Sequence, residues 1–177
     1  MDARPVLLQL RLRGRIPHPG AAAAGPLVAA GHATERGEHL LLSPAGRVAA
    51  ETEFLVDGEP ATTVQAAYDR FAAHNADVIR VCHDWQSHPG DAQVIERLAT
   101  IDDRAGPAIR RLGTRVDQFS DYRGRLRHAR TQVENGRAEW FASPRIDSYH
   151  TVWMELHEHL LVALGLDRAA ESADTTP

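Results

Sequence analysis

The chain has no lysine; all 20 of its basic residues are arginine. That absence excludes a Schiff-base enzyme, a pyridoxal-phosphate anchor and a Walker-type phosphate loop, each of which needs a side-chain amine. There is one cysteine, Cys82, so an internal disulfide and a cysteine-rich zinc site are excluded as well. Cys82 follows the apolar stretch Val78-Ile79-Arg80-Val81 and reads as a small core residue rather than a nucleophile. Long apolar runs are missing too. The start, Met1-Asp2-Ala3-Arg4-Pro5, is charged and leads into a run broken by Arg11, Arg13 and Arg15, unlike a signal peptide. Neither membrane nor export is expected; a cytoplasmic setting is, with no cofactor and no metal.

What is there suffices for a packed core: 177 residues, 43% of them hydrophobic. Net charge is −4, unevenly spread. Residues 1–50 carry six arginines against Asp2, Glu35 and Glu38, a surplus of +3 that leaves −7 for the rest. Such a surplus permits a nucleic-acid contact in the N-terminal segment without demanding one.

Leucines at 7, 8, 10 and 12 among arginines predict a first helix from about Pro5 to Gly14. Residues 17–26, with prolines and glycines flanking four alanines, leave no room for a long helix; Pro26 is expected to open a short one ending at Gly31. From His32 to Leu42 the pattern predicts two short strands joined by a tight turn at Arg36-Gly37. Ser43-Pro44 then reads as N-cap and first residue of a helix reaching Phe54, and Asp57-Gly58-Glu59-Pro60 breaks the chain. Beyond it every long segment reads as helix: 61–86, 91–117 with an interruption at Gly106-Pro107, 119–135 and 147–164. Ser87-His88-Pro89-Gly90 forms a turn, and the polar tail after Leu166 is expected to fray.

Helix, short helix, hairpin and capped helix is the order of a winged-helix domain. The octet Leu40-Leu41-Leu42-Ser43-Pro44-Ala45-Gly46-Arg47 resembles the wing exit of MarR-type regulators. Residues 78–86, with Cys82-His83-Asp84-Trp85-Gln86, and the stretch Asp147-Ser148-Tyr149-His150-Thr151-Val152-Trp153 are similar to a group of bacterial MarR-like winged-helix regulators, over about 40–168. In such domains wing arginines reach phosphates or the minor groove while a recognition helix enters the major groove. The resemblance thus implies Arg36 as wing contact and Arg11, Arg13, Arg15 and Arg47 as phosphate contacts. The departure is length: residues 15–31 are too few for two helices and a turn. Residues 26–31, Pro-Leu-Val-Ala-Ala-Gly, also carry no hydrogen-bonding side chain.

On the last helix Tyr149, Val152, Trp153, Leu156, Leu160 and Leu164 fall on one stripe, which is core. His150, Met154, His157 and Leu161 make an adjacent stripe. With Asp84, Trp85, Tyr149 and Trp153, the histidines His150 and His157 are candidates for a ligand pocket; the alternative is a buried polar network with Asp147 as helix cap. His150 or His157 beside Asp84 or Glu155 would also suit proton transfer. A metal is disfavoured: His157 and His159 diverge by about 200° around a helix. Glu155 and His159 read as a solvent-side pair one turn apart. Eight arginines between Arg104 and Arg130 read by default as a solvated face, with a partner surface as the alternative.

The expected architecture is therefore mainly α: a cut-down winged-helix module with one β-hairpin (1–59), an antiparallel helical dimerisation or effector domain (60–166) and a disordered tail (167–177). The function expected is a homodimeric transcriptional regulator whose partners are DNA and a small-molecule effector. A small-molecule binder or cofactor-independent enzyme without DNA binding, and a partner-binding accessory protein, stay open as alternatives.

Overall fold

A computed structural model describes residues 2–166 of the chain. The expected tail at 167–177 lies outside the described residues. The fold is mainly helical with one small antiparallel sheet. It divides into two compact units, residues 2–56 with 161–166, and residues 57–160. The division at 56/57 falls slightly before the expected 59/60, because α4 (Gly58–Ser87) opens with Asp57 as its N-cap and carries Pro60 inside its first turn. The last residues of α8 (Tyr149–Leu164) belong to the first unit, where the Val56 amide donates to the Ala163 carbonyl.

In the first unit the order is α1 (Arg4–Arg13), β1 (Arg15–Pro17), α2 (Ala21–Ala29), β2 (Ala33–Arg36), β3 (His39–Leu42) and α3 (Pro44–Phe54). The hairpin forms where the sequence predicts, but its turn is Gly37-Glu38 rather than Arg36-Gly37: Gly37 takes φ +56° and Arg36 ends β2, paired with His39. β1 adds an unanticipated third strand, giving the order β1-β3-β2, with Ile16 opposite Leu40 and Glu35 opposite Leu40 on the other side. The inner face packs Ile16, Leu40 and Ala33 with Leu10, Leu27, Ala50 and Phe54. One expectation is corrected here. α2 begins at Ala21, five residues before Pro26. Proline deep in a helix removes one main-chain hydrogen bond, and four alanines, the best helix formers, carry the turn that precedes it. Even so, α2 is the single helix between β1 and β2.

The sequence octet has a physical explanation in the start of α3. The Ser43 hydroxyl accepts from the Gly46 amide at 2.9 Å and donates to the Gly31 carbonyl at 2.6 Å, while the Ser43 amide donates to the His32 carbonyl. A Cβ on Gly46 would lie 1.9 Å from that same His32 oxygen, so only glycine lets α3 approach the end of α2 this closely.

The second unit is built from α4, α5 (Ala92–Arg115), α6 (Tyr122–Glu134), the short α7 (Glu139–Ala142) and most of α8. The expected break at Gly106-Pro107 is absent, and α5 runs through both residues. Its apolar stripe Leu98, Ile101, Ala105, Ile109 and Leu112 is buried without interruption, so tertiary packing outweighs the one bond that Pro107 forfeits. A 3-10 turn at Asp117–Phe119 replaces the start expected for α6, and α7 places Phe141 face to face with Trp85 at 4.2 Å. Of the expected terminal stripe, Tyr149, Val152, Trp153, Leu156 and Leu160 are buried, while Leu164 at the end of the helix is half-buried. No helix among the described residues is long and apolar enough to cross a membrane.

Replacing Ser43 by alanine should destabilise the first unit by about 1–2 kcal/mol through loss of the cap. Gly46→Ala should cost more, about 3 kcal/mol, because the obstruction is backbone. Hydrogen exchange of the β2 and β3 amides is the check, with Gly46→Ala showing the larger loss of protection.

Candidate functional site

Polar chemistry in the second unit centres on a residue that sits where the apolar pattern of α5 calls for a hydrophobe. Asp102 is fully buried, one position from Ile101 and four from Leu98. Its Oδ1 accepts from Arg123 Nη1 at 2.6 Å and from the Tyr149 hydroxyl at 3.2 Å; its Oδ2 accepts from Arg130 Nη1 at 3.1 Å. Arg130 also donates to Asp103, Glu134 and the Ala99 carbonyl. Gly106 makes room for this arrangement, since a Cβ there would meet the Arg123 guanidinium carbon at 2.8 Å. Burial, reinforced by the adjacent Asp102 charge, holds the Tyr149 phenol well above its ordinary pKa, so it stays a hydrogen-bond donor.

A second cluster lies alongside. Arg125 donates from Nε to Asp147 at 2.9 Å and from Nη2 to the buried Glu155 at 2.6 Å. Burial opposes the Arg125 charge, but these two carboxylates outweigh it and raise its pKa. Two expectations are corrected. Glu155 and His159 are not on the solvent side: both are buried, Glu155 against Arg125 and His159 stacked on Phe119 at 4.2 Å and hydrogen-bonded to the Tyr122 hydroxyl at 3.1 Å. Asp147 is not the helix cap either; Ser148 takes that role, its carbonyl and hydroxyl accepting from the Val152 and Thr151 amides. Nor are the arginines of 104–130 simply a solvated face, since Arg123, Arg125 and Arg130 point inward to carboxylates.

Of the six residues expected to line a ligand pocket, Tyr149 stacks on Trp153 at 6.0 Å and Trp153 and His157 share Phe71, while Asp84, Trp85 and His150 have other surroundings. Asp84 pairs with Arg97 at 2.6 Å, a bond that lowers its pKa. Trp85 stacks on Phe141. Trp153 stacks on Phe71 at 4.3 Å and donates from Nε1 to Asn75 at 3.2 Å. His157 is buried beside Tyr68 and Phe71, Tyr149 is bound to Asp102, and the half-buried His150 has its pKa lowered by burial. Cys82 is buried as expected, its thiol pushed up to about 12. A cavity of about 410 Å³ occurs elsewhere, between α4 and α5, rimmed by Arg70, Arg111 and Arg115; none of the six lines it.

In the first unit Arg11 reaches Glu51 at 3.3 Å with only 11% of its side chain exposed. Arg13 is exposed and also partnered. Arg15, Arg36 and Arg47 are exposed and have no ion-pair partner among the described residues. Strand register puts Arg15 and Arg36 on one face. Leu41 pairs with Arg15 on one side and Thr34 on the other, His39 with Pro17 and Arg36, and both rows face away from the buried Ile16–Leu40 row. No strand residue on that outer face is a carboxylate; the exposed Glu38 lies in the turn between Arg36 and His39. Over the whole segment 1–56 the charge surplus is smaller than for residues 1–50, because Glu51 and Glu53 leave six arginines against five carboxylates.

Among the described residues no three histidine, cysteine, aspartate or glutamate side chains are grouped so as to hold a metal ion. Comparison with known protein families, with curated proteins and with solved structures finds no match. Structure and chemistry alone therefore define the class: a mainly helical chain with a three-stranded sheet in one unit and a buried ionic network in the other.

Asp102→Asn should destabilise the second unit by about 3–5 kcal/mol, since two partly buried guanidiniums would lose their common counter-charge; urea unfolding is the measurement. His159 yields a pH signature. Burial lowers its pKa to about 3, below the 6.5 of an exposed histidine, so the stability linked to its neutral form is complete above pH 6.5 and declines as pH falls towards 3. Between pH 7 and pH 5 that loss is about 2 kcal/mol. His159→Asn, which keeps an acceptor near the Tyr122 hydroxyl, should be less stable at pH 7 and should flatten the acid slope by about one proton.

Proposed function

We propose that the chain is a winged-helix-derived transcriptional regulator of MarR-like type, acting as a homodimer, that touches DNA through phosphates rather than through a recognition helix. The observation that carries this reading is the outer sheet face, where Arg15 and Arg36 stand with His39 and no strand residue is a carboxylate. The strand order β1-β3-β2, with the hairpin following a helix and leading into the Ser43-capped α3, is the arrangement a winged helix needs. Arg47 adds a further cation on α3, exposed and without an ion-pair partner among the described residues.

α2 sets the limit on how DNA would be read. Its sequence Ala-Ala-Ala-Ala-Gly-Pro-Leu-Val-Ala has no side-chain donor or acceptor, and a base edge is distinguished by such groups. Sequence preference would then come from the shape and deformability of the duplex, with phosphate contacts supplying the affinity. The helical unit would dimerise and carry the effector response, so that an effector favouring one arrangement shifts the population competent for DNA.

An alternative function, a small-molecule binder without DNA contact, is favoured by one feature, the arginine-rimmed cavity between α4 and α5. Proton-transfer catalysis at His150 or His157 has less support: Asp84 is bound to Arg97 and Glu155 to Arg125.

Fluorescence anisotropy with a labelled duplex separates these readings. Binding should weaken steeply with salt and vary little between unrelated sequences. Arg36→Ala should lower the slope of log K against log salt by about one, uniformly across sequences. No binding even at low salt would exclude the DNA reading.

A further inference from the structure

The eight arginines of 104–130 divide by partner. Arg123, Arg125 and Arg130 are absorbed into the buried ionic network, whereas Arg111 and Arg115 line the cavity between α5 and α4. They are one turn apart on α5, and Arg70 faces the same space from α4. Neither Arg70 nor Arg111 has an ion-pair partner among the described residues. The single carboxylate of the lining, Glu59, is 84% exposed and stands 3.7 Å from Arg115. Three guanidiniums thus surround a concavity with one loosely engaged counter-charge.

The rest of the lining is suited to an organic anion. Ala66, Ala67 and Ala108 are short and leave space in the groove, and the buried Leu112 supplies an apolar floor. Thr62 and Thr63 add hydroxyls on the α4 wall. A volume of about 410 Å³ lies within the range of small-molecule sites, which combine apolar walls with a few polar groups. Guanidinium groups present paired N–H donors that match carboxylate and phosphate oxygens.

We propose that this groove binds a compact organic dianion, a dicarboxylate or a phosphate monoester, with its charged end between Arg70 and Arg111 and its apolar body against Leu112. The inference goes beyond the DNA reading and does not depend on it, since none of these arginines belongs to the sheet face.

Isothermal titration calorimetry of the full chain at low ionic strength tests it, with inorganic phosphate, phenyl phosphate and phthalate as probes. One phenyl phosphate or phthalate should bind per chain, more tightly than inorganic phosphate. The double variant Arg70→Gln/Arg111→Gln should weaken that binding at least about tenfold while its circular dichroism is unchanged. Arg110→Gln, an exposed cation on α5 outside the groove, should bind as the wild type does. The proposal is overturned if no probe gives saturable binding, if the double variant binds unchanged, or if phosphate matches phenyl phosphate. Saturation only by a long polyanion such as heparin would likewise replace a small-ligand site with a macromolecular surface. Loss of duplex binding by Arg36→Ala with intact anion binding would show the two sites to be separate.

Discussion

One carboxylate decides how the helical unit is assembled. Asp102 on α5 is shared between Arg123 and Arg130 of α6 and Tyr149 of α8, so a single buried side chain joins three helices. Removing that charge from water is costly, and the cost is offset only while every partner is in place. Apolar packing alone can tolerate sliding of one helix on another. A shift of one turn, about 5.4 Å, would separate Asp102 from at least one of its guanidiniums and leave charges buried without a counter-ion. The second cluster enforces the same register, with Arg125 of α6 bridging Asp147, just ahead of α8, and Glu155 within it. Charge fixes the alignment that leucine and valine stabilise.

The same network explains what could be read from the sequence and what could not. Periodicity located the long helices, the core stripe of α8 and the hairpin, because these depend on local alternation of apolar and polar residues. The Ser43 cap was legible for the same reason: it uses neighbours in the chain. Asp102 leaves only a faint signal in the sequence, a carboxylate on the apolar stripe of α5 followed four residues later by a glycine. Reading it required knowing that Arg123, 21 residues away, lies over Gly106. Glu155 and His159 were placed on the wrong face for a similar reason. Spacing along one helix gives relative angle, but it does not say which neighbour occupies that angle. The short β1 had no periodicity to show, being three residues long and recognisable only through its pairing with β3.

Arginine rather than lysine suits both halves of this chemistry. In the core, Arg125 and Arg130 each engage more than one acceptor through distinct nitrogens, which a single ammonium on a flexible stem does less well. On the sheet face Arg15 and Arg36, and in the groove Arg70 and Arg111, have no ion-pair partner among the described residues. Residue type therefore does not separate structural from functional arginines in this chain. Counter-charge does: where a carboxylate is supplied, buried as Asp102 or exposed as Asp84, the guanidinium is engaged by the protein, and where none is supplied, as at Arg36 and Arg70, it is open to an external anion.

That distinction also bears on how well the groove is prepared for a ligand. α5 contributes Asp102 to the network and, about two and a half to three and a half turns later, Arg111 and Arg115 to the groove wall. The helix is continuous through Gly106 and Pro107, so the alignment imposed at Asp102 is transmitted to the groove along a rigid element rather than a loop. Ligand sites lose affinity when binding must also order the protein. Here only the guanidinium ends of Arg70, Arg111 and Arg115 remain to be ordered, because the backbone that carries the latter two is already fixed by the buried ions of α6 and α8.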